Sequence, residues 1–105
     1  MRPVNQTVTT VASGAWIPLD VTQNPFSCSV GCRNLGGATY QADYTYDDPL
    51  DSTVTPVVFG QLTNIPASTT TNKDQFLTAP IRAVRLTVTV AGSGVKMTVV
   101  QGLGL

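Results

Sequence analysis

Apolar residues alternate with polar ones along several segments of this chain, and this spacing constrains the fold more than any other feature. In residues 26–33 the side chains of Phe26, Cys28, Val30 and Cys32 fall on one face of an extended strand. Residues 38–46 and 80–90 alternate in the same way. A period of two residues is typical of a half-buried β-strand, and no segment shows the helical period of 3.6 residues. The sequence therefore predicts an all-β chain.

The composition supports the same conclusion. Threonine occurs 16 times and valine 14 times among the 105 residues, whereas glutamate and histidine are absent. β-Branched side chains are enriched in strands, and the good helix formers glutamate and lysine are absent or scarce here. Because a chain of ~100 residues usually forms one domain with one modest core, we expect residues 1–105 to fold as a single unit.

Two glycine-containing turns separate the clearest strands. One reads Asn-Leu-Gly-Gly at 34–37, and the other reads Ala-Gly-Ser-Gly at 91–94. Glycine and asparagine tolerate the positive φ that tight hairpin turns require. The sequence therefore predicts two antiparallel hairpins, which pair 26–33 with 38–46 and 80–90 with 95–101.

Shorter segments complete the expected fold. Strands are predicted at 15–19, 57–59 and 62–65, and a Ser/Thr/Asn-rich loop is predicted at 66–74. Residues 1–12 are expected to form an N-terminal arm or an edge strand. The prediction is a single antiparallel β-sandwich of seven or eight strands, and its topology is either jelly-roll or immunoglobulin-like.

The same composition excludes several functions. Without histidine the chain can build neither a Ser-His-Asp triad nor a His-ligated zinc site. Six basic and six acidic residues leave no net charge, whereas neutralising nucleic-acid phosphates requires clustered lysine and arginine. No apolar run approaches the ~20 residues that span a bilayer, and residues 1–7 lack the apolar core of a signal peptide. We therefore expect no enzymatic activity, no cofactor, no metal, no nucleic-acid or membrane partner, and folding in a cytoplasm.

The two cysteines are predicted to be free thiols that point inward. Cys28 and Cys32 are four residues apart, so on an extended strand their Cα atoms would be separated by ~13 Å. A disulfide requires ~4.4–6.8 Å. Buried small hydrophobic side chains are therefore the favoured interpretation, and a bridge would require residues 28–32 to turn.

The only charge cluster is acidic. Asp43, Asp47, Asp48 and Asp51 surround a strand end and Pro49. Carboxylates on a flexible loop can bind calcium, and paired carboxylates can hydrolyse glycosides. The spacing matches no EF-hand, and no apolar surroundings are supplied that would raise the pKa of one carboxylate for catalysis. We therefore predict a solvated turn whose aspartates cap backbone amides.

Two arginines follow in the 80–90 strand. Arg82 and Arg85 lie on opposite faces of it. We expect one of them to be exposed and the other to form an ion pair with an aspartate of the 43–51 region.

Aromatic residues offer a further candidate site. Tyr40, Tyr44 and Tyr46 share one face of their strand, and together with Trp16 they could form a platform for a sugar. Aromatic residues on one strand face more often pack in the core. A single tryptophan beside a proline, as in Trp16-Ile17-Pro18, also suits an interface anchor.

Three segments resemble small virion proteins of tailed double-stranded DNA bacteriophages. They are Trp16–Asp20 with Asn24–Phe26, the turn Tyr44–Pro49, and the strand Ala79–Val88 together with Val99–Gln101. The resemblance spans residues 15–101. It implies a β-sandwich decoration or cement protein that binds the outside of the capsid, with the major capsid protein as partner and further copies of itself on the lattice. A tail, adaptor or fibre component, or a carbohydrate-binding attachment module, would fit the same features.

A clamp on a lattice requires segments that reach beyond the sandwich. An extended arm can add a strand to an exposed sheet edge through main-chain hydrogen bonds. The N-terminal segment and the 66–74 loop both have a suitable composition, and the N-terminal segment is the favoured one. We therefore predict the partner contact at Arg2, Val4 and Val8 and at Trp16, with the 47–56 loop as a further candidate.

Overall fold

The computed structural model describes residues 3–22 and 26–101, and every regular element in these ranges is a β-strand. The strands are β1 (Val4–Val8), β2 (Ile17–Pro18), β3 (Cys28–Asn34), β4 (Thr39–Thr45), β5 (Gly60–Gln61), β6 (Lys73–Leu77), β7 (Ala83–Val90) and β8 (Val95–Gln101). The described residues contain no helix, so the prediction of an all-β chain is confirmed.

The eight strands form two antiparallel sheets of four. The first sheet has the order β1-β8-β3-β6, and the second has the order β2-β7-β4-β5. The pairs β1–β8, β2–β7, β3–β6 and β4–β5 are nested, so the second half of the chain pairs with the first half in reverse order. The additional pairs β3–β8 and β4–β7 join this long hairpin into two sheets.

The two predicted hairpins are both wrong. β3 pairs with β6 and β8, whereas β4 pairs with β5 and β7, so the turn between β3 and β4 crosses from one sheet to the other. The turn between β7 and β8 crosses in the same way. Alternation predicts which face of a strand is buried. It does not predict whether two successive strands lie side by side in one sheet or face each other across the core from two sheets.

The two crossing turns, residues 34–38 and 91–94, pack against each other and are called the paired arches below. The Ser93 amide donates to the Gly36 carbonyl at 2.7 Å, and the Leu35 amide donates to the Gly94 carbonyl at 3.0 Å. Gly92 has a φ of 49°, and a Cβ added to it would lie 2.3 Å from the Gly36 oxygen. The glycines of the two turns therefore allow the arches to pack closely against each other. They do not form the tight turns of two hairpins.

Most residues of the predicted inward faces are buried and meet in one hydrophobic core with members from both sheets, whereas Tyr46 and Val90 are about half exposed at the ends of their faces. The buried members from β3, from the residue Phe26 that precedes it, and from β7 and β8 are Phe26, Cys28, Val30, Cys32, Val84, Leu86, Val88, Val95, Met97 and Val99. Cys28 and Cys32 are free thiols within this core, as predicted. Burial raises the pKa of Cys28 to about 11 and that of Cys32 to about 12.

The N-terminal segment lies along the edge of the first sheet. Val4–Val8 pairs with β8, and Gln6 connects this edge to the second sheet. The Gln6 Oε1 accepts a hydrogen bond from the Leu86 amide at 2.9 Å, and its Nε2 donates to the Ala15 carbonyl at 2.7 Å. In this structure β1 is thus fastened to both layers.

The short elements differ most from the prediction. Strand β6 begins at Lys73, inside the segment expected to be a loop, and the expected strands at 57–59 and 62–65 are replaced by the two-residue β5. Only Leu77 of β6 is buried. An edge strand with one buried side chain has no alternation to detect, so its place depends on pairing with β3.

Candidate binding surface

Aromatic side chains are exposed where the chain leaves β4 and returns to β5. Residues 57–59 run back along the end of β4, since the Phe59 amide donates to the Tyr44 carbonyl at 2.9 Å and the Thr45 hydroxyl donates to the Val57 carbonyl at 2.8 Å. The face formed by Tyr44, Tyr46, Val57 and Phe59 is called the aromatic surface below. It is a continuous feature built from two adjacent segments.

Three rings of this surface contact one another. The Tyr46 and Phe59 centroids are 4.8 Å apart in an edge-to-face arrangement, and Tyr44 lies 5.8 Å from Tyr46 and 5.7 Å from Phe59. Tyr46 is nevertheless 52% exposed, Val57 68% and Phe59 67%. Rings held together by mutual contact while facing solvent form a preordered apolar patch, and such patches often mark interaction sites.

A groove of about 260 Å³ adjoins the aromatic surface. It runs between the second sheet and β6, and Phe76, which is 75% exposed, stands at its side. Its lining consists of Tyr44, Tyr46, Leu62, Thr63, Gln75, Phe76, Leu77, Thr78, Ala79 and Ile81. None of these side chains is charged. The centre of a protein–protein interface is likewise depleted in charge and enriched in aromatic residues.

Aspartate side chains hold the 46–59 connection in place. Asp47 Oδ2 accepts the Val57 amide at 3.0 Å, and Asp48 Oδ1 accepts the Leu50 amide at 2.9 Å. Asp51 Oδ1 accepts both the amide and the hydroxyl of Thr53, and these bonds lower the pKa of Asp51. The predicted capping turn is therefore confirmed for Asp47, Asp48 and Asp51. No group of three potential metal-ligating side chains occurs within residues 3–22 and 26–101.

Asp43 differs from the other three aspartates, and its assignment to a solvated turn is wrong. It is 1% exposed. Its Oδ1 accepts from Gln41 at 2.7 Å and Gln61 at 3.2 Å, and its Oδ2 accepts from the Arg85 Nε at 3.2 Å and the Thr87 hydroxyl at 2.6 Å. Position 43 lies between β5 and β7, so neighbouring strands cover a residue that the alternation places on the outer face.

Both arginines of the 80–90 segment form ion pairs. Arg85 pairs with the buried Asp43, and Arg82 pairs with Asp48 at the surface, where both side chains are about one-third exposed. The predicted pair with the 43–51 region is confirmed. The other arginine, Arg82, was expected to be exposed, and it is partly covered because it pairs with Asp48.

Trp16 and the tyrosines do not form a common platform. The Arg85 guanidinium carbon lies 4.5 Å from the centroid of the Trp16 ring, which places this half-buried tryptophan on the outer face of the second sheet. Tyr40 is fully buried in the core. The sheet separates them, so the sugar platform that the sequence suggested is absent in this arrangement.

Three of the four residues predicted to contact a partner lie in the described part of the chain, and they differ in exposure. Arg2 lies outside the described residues. Val4 is 36% exposed on the edge strand, whereas Val8 is buried in the core at 8%. Trp16 is partly covered by Arg85. The exposed aromatic residues Phe59 and Phe76 were not predicted as site residues. The only sequence feature that could have indicated their exposure is that both lie outside the alternating segments.

Described parts of the three segments named in the sequence analysis lie beside one another in the fold. The Leu19 amide donates to the Arg82 carbonyl at 2.9 Å, and the Arg82 amide donates to the Thr45 carbonyl at 3.1 Å. The Gln101 side chain bonds both backbone groups of Asp20, at 2.9 and 2.6 Å. Of these contacts, the one between Arg82 and Thr45 lies next to the aromatic surface, since Thr45 is between Tyr44 and Tyr46.

Comparisons with protein-family models, with curated proteins and with solved structures find no match to this chain. Within the described ranges there is no helix of the length and apolarity that crossing a membrane requires.

Proposed function

We propose that this chain is a structural virion protein, a capsid decoration or cement protein that binds the outer surface of a phage head and stabilises neighbouring capsid subunits. The observation that carries the proposal is the aromatic surface with its uncharged groove. It offers the aromatic side chains and the absence of charge that a protein partner would bury. Tyr44 and Tyr46 of this surface belong to one of the segments that resemble the decoration proteins.

We also propose that the two sheets form a β-sandwich with jelly-roll topology. The nested strand pairs support this assignment, because a jelly roll is a long antiparallel hairpin wrapped into two sheets. An immunoglobulin-like sandwich would place consecutive strands side by side more often. Among the strands described here, only β4 and β5 are both consecutive and paired.

Such a protein would stabilise the capsid through its binding free energy alone, without any chemical reaction. DNA packed in a head pushes the capsid subunits apart, and a protein that binds across two subunits opposes their separation. A standard interface buries ~1,200–2,000 Å² in total. Many identical contacts on one lattice would add avidity to a modest single contact.

The aromatic surface is tested by replacing Val57 and Phe59 together with serine. Both side chains are exposed in the isolated chain, so we expect the variant to fold but to bind heads of the encoding phage at least ~10-fold more weakly, as expected for lost hot-spot residues. Cosedimentation of labelled protein with heads that lack it measures this affinity. The matched control is Val11→Ser, since Val11 and Phe59 are both 67% exposed.

Equal binding of the double variant, the control and the unchanged chain would contradict the assignment of this surface. Absence of the chain from purified heads would contradict the decoration function. Copy number separates the alternatives, since a tail, adaptor or fibre component is present in few copies and a decoration protein in hundreds. Trp16 and Tyr40 lie apart among the described residues, so the platform on which the carbohydrate-binding alternative depended is not formed there.

A further inference from the structure

A second groove, of about 560 Å³, lies on the outer face of the first sheet. Gly31 lies at its centre, and a Cβ added to this glycine would meet no atom within 4 Å. Around it stand Cys32, Arg33, Asn72, Lys73, Asp74, Lys96 and Thr98. This depression is called the basic groove below. The missing side chain at position 31 leaves room for an extended segment to lie on the sheet.

The charges around the basic groove are unbalanced. Arg33 and Lys96 are direct cross-strand partners on β3 and β8, an arrangement that is unfavourable in isolation. Lys73 is a third cation on the rim, and Asp74 is the only carboxylate, so the lining carries a net charge of two positive. Within the described part of the chain, none of these three cations forms an ion pair, whereas Arg82 and Arg85 both do.

A matching excess of negative charge lies on the 46–59 connection. The segment 47–51, called the acidic turn below, carries Asp47, Asp48 and Asp51. Arg82 neutralises Asp48, which leaves a net charge of two negative. Leu50 protrudes between the aspartates and is 77% exposed. The acidic turn thus presents two carboxylates around one apolar side chain.

The groove and the turn lie toward opposite ends of the molecule. Arg33 is close to the paired arches, from which β4 starts, and the acidic turn follows the last residue of β4. The seven residues of β4 span ~20 Å at ~3.3 Å per residue. One molecule therefore cannot place its own acidic turn in its own groove, although two molecules can make this contact.

We propose that the basic groove binds the acidic turn of a second copy of this chain, so that copies associate head to tail. The net charges of the two surfaces are equal and opposite, and a chain without net charge has no overall repulsion between copies. A contact between two different surfaces is heterologous and closes into a ring or continues as a row, depending on its rotation. The inference does not rest on the capsid function and concerns the protein alone.

Sedimentation velocity of the purified chain tests the proposal. We expect association that strengthens with protein concentration and weakens at least ~10-fold between about 20 mM and about 500 mM salt, because exposed charges are screened at the higher salt. Lys96→Gln should weaken association severalfold. Thr89→Glu, on the outer face of the other sheet, changes the net charge equally and should leave association unchanged.

A charge swap identifies the two surfaces. The groove variant carries Lys73→Glu and Lys96→Glu, which reverse its net charge. The turn variant carries Asp47→Asn and Asp51→Asn, which keep the hydrogen-bond acceptors. It also carries Ser52→Lys and Thr55→Lys at exposed positions without side-chain hydrogen bonds in the described structure. We expect each variant alone to be monomeric and their equimolar mixture to associate, since every groove then meets a turn of opposite charge.

Circular dichroism checks that both variants fold. If either does not, Lys96→Gln and Asp51→Asn are tested singly, and each should weaken association severalfold. A monomeric wild-type chain at low salt, a mixture that stays monomeric, or single variants that associate like the wild type would each overturn the proposal. If the wild type is monomeric and its groove binds a synthetic oligo-aspartate peptide, the occupant is an acidic segment of another protein. Because no heads are present, failure here is distinct from failure of the capsid assignment.

Discussion

At the scale of single residues, two aspartate–arginine pairs show how burial determines the cost of losing a charge. Asp43 and Arg85 lie in a network that covers the aspartate almost completely, with side-chain exposures of 2% and 24%. Asp48 and Arg82 make the same kind of pair, but their side chains are 35% and 36% exposed. Water can replace a lost partner at the second site but has little access to the first.

We therefore predict different effects for Asp43→Asn and Asp48→Asn. Asp43→Asn leaves Arg85 without its counter-charge, and the new amide NH₂ faces groups that donate hydrogen bonds to Asp43 in the unchanged chain. It should therefore lower the free energy of unfolding by about 3 kcal/mol. The second should cost less than about 1 kcal/mol, because exposed ion pairs contribute little and asparagine can still cap the Leu50 amide. Urea denaturation measures both, and equal losses would contradict the structural role assigned to Asp43.

At the scale of elements, the paired arches join the two sheets at one end of the molecule. All four of their glycines have positive φ, and Gly37 and Gly92 differ in their surroundings. Gly37 has a φ of 68° with nothing within 4 Å of an added Cβ, whereas the same atom on Gly92 would lie 2.3 Å from the Gly36 carbonyl oxygen. A side chain at position 37 is disfavoured only by the backbone conformation. A side chain at position 92 would also clash with the neighbouring arch.

The two glycines form a matched pair for substitution. Gly37→Ala should cost about 1 kcal/mol, the strain of a left-handed alanine. Gly92→Ala should cost at least about 2 kcal/mol more, since the arches must move apart and lose the hydrogen bond from the Ser93 amide to the Gly36 carbonyl. Thermal and urea unfolding of both variants test this difference. Similar stabilities would mean that the arches do not depend on their contact.

At the scale of the whole molecule, three weakly acidic groups lie in or against the shared core. Burial raises the pKa of Cys28 to about 11, that of Cys32 to about 12, and that of Tyr40 to about 12, with a further contribution from Cys32 to the last. All three are neutral at pH 7 in the folded and the unfolded chain. They therefore influence stability only in alkaline solution.

Stability should be independent of these groups below about pH 8 and should fall between about pH 8 and about pH 12. Above about pH 8 the unfolded chain loses its thiol protons while the folded chain retains them, so the unfolded state binds fewer protons and is favoured. Each group contributes a slope of up to about 1.4 kcal/mol per pH unit. Urea unfolding from pH 7 to 11 measures the slope, and Cys32→Ala should make it shallower. An unchanged slope in that variant would contradict the burial of this thiol.

The sequence by itself determined the strand content and most inward faces, because alternation depends only on the direction of successive side chains. It predicted the buried thiols of Cys28 and Cys32 and the capping aspartates of the acidic turn for the same local reason. The tertiary structure decided which strands pair. An apolar face is buried equally well whether the next strand lies beside it in the same sheet or opposite it across the core, so alternation cannot distinguish the two arrangements. That choice placed the glycines in arches instead of hairpins, buried Asp43, gathered Tyr46, Phe59 and Phe76 at one surface, and set the basic groove at a distance from the acidic turn.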